Sequence, residues 1–325
     1  MKQLQHIITT GRHTLPISIF LTIICWVIAY AGMPQSSTQD VSYTFMQYQI
    51  TIPDWGSRIL GLISCFVIGF FLIRINNYYA IIRRRASVQT SLFLLFVAAY
   101  PLLHLFYIAD IAIVLVLFSV YNLFKTYQRQ QAAGNIFNSF VFLGLGSLLF
   151  PQLLWFSPIF FLGVAMINKL TLRNFIAGVL GVVLPCALLW AYAYYLGDME
   201  IFQRPFRELL ISPELNISIT KGLVFIYFFV VFVVCSVYCF TNKHKDKIRT
   251  RIYLRFIILF SLSIFIFIFL YPSISPSMTF LLFAGLSVLA AHFLVLSNSK
   301  ASNMFCIGAL IGLVILFVVN IWITL

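Results

Sequence analysis

Asp110 lies in Tyr107-Ile-Ala-Asp110-Ile, a carboxylate with apolar residues on both sides. An ionisable group in such a setting marks a functional position by default when the surroundings are membrane. The same residue also reads as an N-cap, accepting backbone N–H groups at the start of a helix and complementing its dipole. Asp40 and Asp54 stand upstream in the stretch 34–56. Together with Asp110 they offer an acidic set able to hold a divalent metal or to act as a general base. Asp54, between Pro53 and Trp55, equally reads as a helix cap.

The complementary cations are Arg204 and Arg207, three residues apart in Phe202-Gln-Arg-Pro-Phe-Arg-Glu-Leu-Leu210, and Arg58. Guanidinium groups placed in this way suit bidentate capture of a phosphate or diphosphate. Contact with lipid headgroups, or pairing with Glu200 and Glu208, is their plainer use. A site built from these acids and arginines requires them to meet in one cavity.

Other chemistry is poorly supported. Cys25, Cys65, Cys186, Cys235, Cys239 and Cys306 all fall within or at the ends of apolar runs without CxxC spacing, where cysteine behaves as a small hydrophobe. His104 and His292 lie inside apolar runs and read first as hydrogen-bonded structural histidines, with a proton relay as the sharper alternative. Gly144-x-Gly146 and Gly178-x-x-Gly181 follow no strand, which removes a nucleotide-loop reading and leaves close helix packing. Asn216-Ile-Ser218 fits a glycosylation acceptor only in a secretory setting.

The elements that must position these residues are membrane helices. The composition is 62% apolar, 17% aromatic and only 9% charged, too few charges to make a solvated surface. The net charge of +13 sits in short loops between apolar runs rather than in one patch, which argues for membrane orientation and against nucleic acid. Runs of spanning length fall at 15–33, 57–75, 90–108, 110–124, 175–197, 219–240, 255–271, 278–296 and 304–323. The first contains Ala29-Tyr-Ala31, which imitates a signal-peptidase site, yet its length reads as a retained span.

The region 136–168 is broken by Pro151 and Pro158. Read as one span, it would turn Lys243, Lys245, Lys247, Arg249, Arg251 and Arg255 outward, against the positive-inside rule. Read as a short, Pro-broken hairpin that returns to the same side, it keeps them inside. The expectation is therefore an all-α polytopic bundle forming one membrane domain over 1–325, with about eleven membrane segments, the N-terminus inside and the C-terminus outside. Of the 21 lysines and arginines, only Arg58, Arg204, Arg207 and Lys221 then fall outside, whereas Asp246 is the one acid inside. The triple Arg83-Arg84-Arg85 and the Lys243–Arg255 cluster read as orientation signals in contact with anionic lipid. The segment 202–210 reads as a short interfacial helix.

From Arg85 to Tyr195 the chain presents a fixed order of features. A span ends near Ala99-Tyr-Pro101, Asp110 stands at a turn, Asn138 enters the Gly/Pro hairpin, and Lys169…Arg173 and Gly181…Pro185 follow. This order resembles an uncharacterised family of multi-span inner-membrane proteins from Bacteroidota. A fainter similarity is to multi-span glycosyltransferases that use polyprenyl-phosphate sugars. That second resemblance implies catalytic acids at Asp40 or Asp54 and at Asp110, and contact of Arg204 or Arg207 with a donor phosphate. The first outer loop is shorter than such enzymes carry, and no outer soluble domain follows.

Three functions are consistent with these features. One is the handling of a lipid-linked saccharide at the outer face of a bacterial inner membrane, with membrane lipids and a polyprenyl-phosphate-linked substrate as partners. The second is a transporter or flippase with its path along the broken hairpin. The third is a non-catalytic subunit of an envelope complex.

Overall fold

The computed structural model describes residues 5, 13–32, 41–45, 48–82, 87–209, 219–241, 246–272, 275–297 and 299–324. The side chains of 41–50 and of 204, 208, 220, 275, 323 and 324 lie outside this description. Twelve α-helices are described: α1 Thr14–Gly32, α2 Asp54–Tyr79, α3 Ser87–Ala98, α4 Ile108–Lys125, α5 Ala133–Leu149, α6 Ser157–Met166, α7 Leu172–Leu196, α8 Glu200–Leu209, α9 Ile219–Thr241, α10 Ile248–Leu270, α11 Ser275–Leu296 and α12 Lys300–Thr324. Two 3-10 turns, Pro101–His104 and Pro151–Phe156, interrupt them.

Eight of these helices, among the described residues, are long and apolar enough to cross a membrane: α1, α2, α4, α7, α9, α10, α11 and α12. Three apolar helical stretches are shorter, at Ser87–Ala98, Ala133–Leu149 and Pro151–Met166. Large apolar side chains on the long helices, such as Phe20, Leu188, Val314 and Trp322, remain exposed in the monomer. Outward apolar faces are what a helix needs when its solvent is lipid. The chain is an all-α integral membrane protein.

One departure from all-helical structure is local. Val41–Phe45 and Tyr48–Ile52 pair as two antiparallel strands, with Val41 opposite Ile52 and Phe45 opposite Tyr48. A second departure concerns the run 90–108, which reads from sequence as one span. Pro101 lacks an N–H and disfavours helical backbone in the residue before it. The α-helix therefore stops at Ala98, after twelve residues, and the chain continues through Pro101–His104. At helical rise those twelve residues cover about 18 Å, against a hydrocarbon core of about 30 Å.

The chain divides into two units, each treated separately. The first comprises 1–39, 54–106 and 214–325, and the second 40–53 and 107–213. In the first unit α3 is the buried centre, packed against α1, α2 and α11. Its polar side chains bond to neighbouring helices: Gln89 Nε2 donates to Leu72 O at 2.5 Å and Thr90 Oγ1 to Gly69 O at 3.0 Å. Gly69 sits where the helices touch, since a Cβ there would lie 3.0 Å from Thr90 Cγ2.

In the second unit α5 packs against both α4 and α7. Ser119 Oγ donates to Ser139 O at 2.7 Å and Ser139 Oγ to Ser119 O at 2.9 Å, a reciprocal pair between α4 and α5. Seven residues further along both helices, a Cβ on Gly146 would lie 3.4 Å from Ala112 O. The two helices therefore run antiparallel in register from the middle of α4 to within two residues of Asp110. The region 136–168 is broken where its prolines stand: α5 ends before Pro151, and α6 starts at Ser157 beside Pro158. A Cβ on Gly181 would lie 2.6 Å from Phe137 O, so α5 and α7 meet at a position open only to glycine.

Candidate functional site

One end of the first unit is built on the start of α2. Asp54 opens that helix, and its Oδ2 accepts from Arg58 Nε at 2.9 Å, one turn on. Arg58 also lies over the Tyr30 ring at 5.4 Å, and its carbonyl accepts from Trp26 Nε1 at 3.1 Å. Trp26 stacks on His104 with ring centroids 3.7 Å apart. Ser57 Oγ accepts from Phe106 N at 3.2 Å. Arg58 and Asp54 are thus brought together with each other and with the aromatic residues of α1.

Asp110 is almost wholly buried in the second unit. Its Oδ2 accepts from Tyr107 N–H at 3.1 Å, in the reach-back of a capping box at the start of α4. The N-cap position expected of Asp110 is thus held by Tyr107, and Asp110 supports the same helix start from N3; a site role is compatible with that. Arg207 is exposed on α8, where Nη2 donates to Gln203 Oε1 at 3.1 Å and Nη1 lies 3.6 Å from Glu200 Oε1. Such exposed pairs contribute little to stability. A short helix is present over most of 202–210, as α8, seated through Ile201 and Phe202 on Leu148, Leu189 and Ala193. Asp40 and the side chain of Arg204 lie outside the described residues, as do Arg83–Arg85, Lys243, Lys245 and Asn216–Ser218. Asp54 and Asp110 belong to different units. No group of three or more metal-ligating side chains occurs among the described residues.

The sequence reading passed over a cavity of about 260 Å³ in the first unit. It lies between α9, α10 and α11, with Phe225, Phe228, Phe269, Leu282 and Phe283 among its walls. Phe269 and Ile226, which also line it, are exposed, so the cavity opens sideways to the surface that faces lipid. Lys221 stands at its polar end, one turn into α9 at most, with Nζ donating to Pro272 O at 3.2 Å. The helices place this end. α9 and α10 are antiparallel neighbours joined through the basic stretch 242–247, so Lys221 and Pro272 lie at the end away from that stretch. Lys221 was legible only as one of four cations left on the outer side. Nothing in its flanking residues marks it as the rim of a cavity.

A second missed cluster sits at the opposite, basic end of the same unit. Cys239 Sγ lies 3.7 Å from His292 Nδ1, and His292 Nε2 lies 3.2 Å from Asp246 Oδ2. All three are buried. They join the end of α9, the start of the chain leading into α10, and α11, and they surround His292 with a thiol and a carboxylate. Nearby, Arg249 Nε donates to Tyr253 Oη at 3.1 Å and its guanidinium lies over the Tyr79 ring at 5.4 Å. Gln5 is tied to the same end, with Nε2 donating to Leu294 O at 2.7 Å and Oε1 accepting from Ser302 Oγ at 2.8 Å.

Compared with known proteins, the chain matches no protein-family model, no curated protein and no solved structure.

Proposed function

We propose that this integral membrane protein binds a lipid-linked saccharide at the outer face of a bacterial inner membrane, holding a polyprenyl phosphate by its tail and its charge. The observation that carries this reading is the pairing of Lys221 with the apolar cavity behind it. A lateral opening admits a chain from lipid without passage through water. An ammonium at the rim complements a phosphate, and the bond to Pro272 fixes where that ammonium stands. The aromatic walls supply contact area that a lipid chain fills at no cost in polar desolvation.

Within the same unit, Arg58 serves the phosphate or saccharide, and Asp54 acts as general acid or base, or as a ligand of a divalent metal, if the bound saccharide is transferred. The pairing of Arg58 with Asp54 gives the arginine a carboxylate to exchange for phosphate. The faint resemblance to polyprenyl-phosphate-dependent glycosyltransferases points to the same assignment. Photo-crosslinking tests it: a diazirine-bearing polyprenyl phosphate in nanodiscs should label peptides from 221–229 and 265–283. Labelling confined to the outward faces of α1 and α7, or labelling that excess unlabelled lipid phosphate does not suppress, contradicts the reading.

A further inference from the structure

We infer that the bound chain is longer than the outer cavity and continues into a second cavity in the same unit, passing a constriction formed by Phe96, Phe228 and Phe283. This rests on the reading that the outer cavity takes a lipid phosphate. The second cavity also measures about 260 Å³ and lies between α1, α3, α9, α11 and α12. Its walls come from the halves of these helices nearer the basic end: Thr14 to Leu21 of α1, Ala290 to Leu294 of α11, and Phe305 to Leu313 of α12. Its side opening follows from the splay of α1 and α12. They approach at Gly32, where a Cβ would meet Ile321 Cγ2 at 3.4 Å, whereas Ile17 and Leu21 stand exposed beside the cavity.

The two cavities adjoin. Phe228 and Phe283 line the outer one, and Phe96 lines the inner one. Their rings touch, with centroids 4.2 Å apart for Phe228 and Phe283, 5.2 Å for Phe96 and Phe228, and 5.9 Å for Phe96 and Phe283. All three are buried. Aromatic side chains therefore stand between the cavities at this point, and rotation of a ring would join them there. The walls on both sides are almost entirely apolar, so the path suits a hydrocarbon chain. A phosphate or sugar drawn through it would lose its hydration without compensation, at several kcal/mol per polar group. The charged head thus stays at Lys221 while the tail reaches the opposite half of the unit. The geometry selects a long isoprenoid phosphate over a short one.

The test compares two probes on protein in nanodiscs, a farnesyl-length phosphate and an undecaprenyl-length phosphate. Ala290→Phe and, separately, Leu95→Trp fill the second cavity from two different helices. The wild type should bind the long chain at least about tenfold more tightly than the short one, a difference of about 1.4 kcal/mol. Both variants should abolish that preference while binding the short chain as before, which also shows that they fold. Equal affinity of the wild type for both lengths, or a preference that survives both substitutions, overturns the inference and leaves the outer site standing. Failure of either phosphate to bind saturably removes the outer site and the inference with it.

Discussion

Gly61 on α2 packs directly on the backbone of His104: a Cβ added to the glycine would lie 2.5 Å from the His104 carbonyl oxygen. The contact explains how a chain that leaves α-helical form at Ala98 still fits between α1 and α2. His104 faces Trp26 with its ring and Gly61 with its carbonyl, so the turn is clamped from both sides.

Gly61→Ala should therefore be among the costly single-methyl substitutions in the chain. The neighbour at 2.5 Å is backbone, which cannot rotate away, and overpacking of this kind costs about 1–3 kcal/mol. Thermal denaturation in detergent should show a lowered Tm. Gly134→Ala is the control, because nothing lies within 4 Å of a Cβ there. Equal Tm values for the two variants would show that the clamp is not as tight as described.

Asp110→Asn separates the structural use of that residue from a chemical one. Asparagine keeps an oxygen able to accept from Tyr107 N–H, so the cap survives at a cost within about 1 kcal/mol. The amount of folded protein in membranes should be unchanged. Asp110→Leu, which removes the acceptor, should reduce it. A catalytic role is supported if transfer of a lipid-linked saccharide is lost in the asparagine variant, and refuted if transfer persists at the wild-type rate.

At the basic end of the first unit, His292 and Asp246 should prove coupled. Removing either one leaves a buried polar partner, a loss of about 1–3 kcal/mol. Asp246→Ala and His292→Leu should each lower stability, and the double variant should fall by less than the sum. Strict additivity in the double-mutant cycle would mean that the 3.2 Å contact contributes nothing.

The sequence reading fared differently on elements and on sites, for physical reasons. Long apolar runs and prolines are local signals: the helix breaks at Pro151 and Pro158, and the short helix at 200–209, follow from them directly. The early end of α3 was missed because hydropathy runs unbroken through Tyr100 and Pro101, and only backbone geometry stops the helix. The strand pair at 41–52 lies in a stretch whose strand signal is slight, since only Tyr43 and Phe45 alternate before Tyr48 breaks the period. Cys239 and Asp246 stand close in sequence, but His292 joins them from another helix 46 residues beyond Asp246, and spacing cannot reveal that meeting. The cavity at Lys221 was invisible for a related reason. With 35 phenylalanines in the chain, nothing distinguishes those that line a cavity from those that face lipid.

The central claim is that Lys221 meets the phosphate of a lipid whose chain occupies the cavity behind it. The most direct measurement is the affinity of a polyprenyl phosphate for wild-type protein and for Lys221→Gln in nanodiscs, beside the same chain ending in an uncharged alcohol. Loss of a charge-assisted hydrogen bond worth about 1.5–3 kcal/mol should weaken phosphate binding by roughly 10- to 100-fold and leave the alcohol unaffected. Phosphate affinity that is the same in wild type and Lys221→Gln would contradict the account.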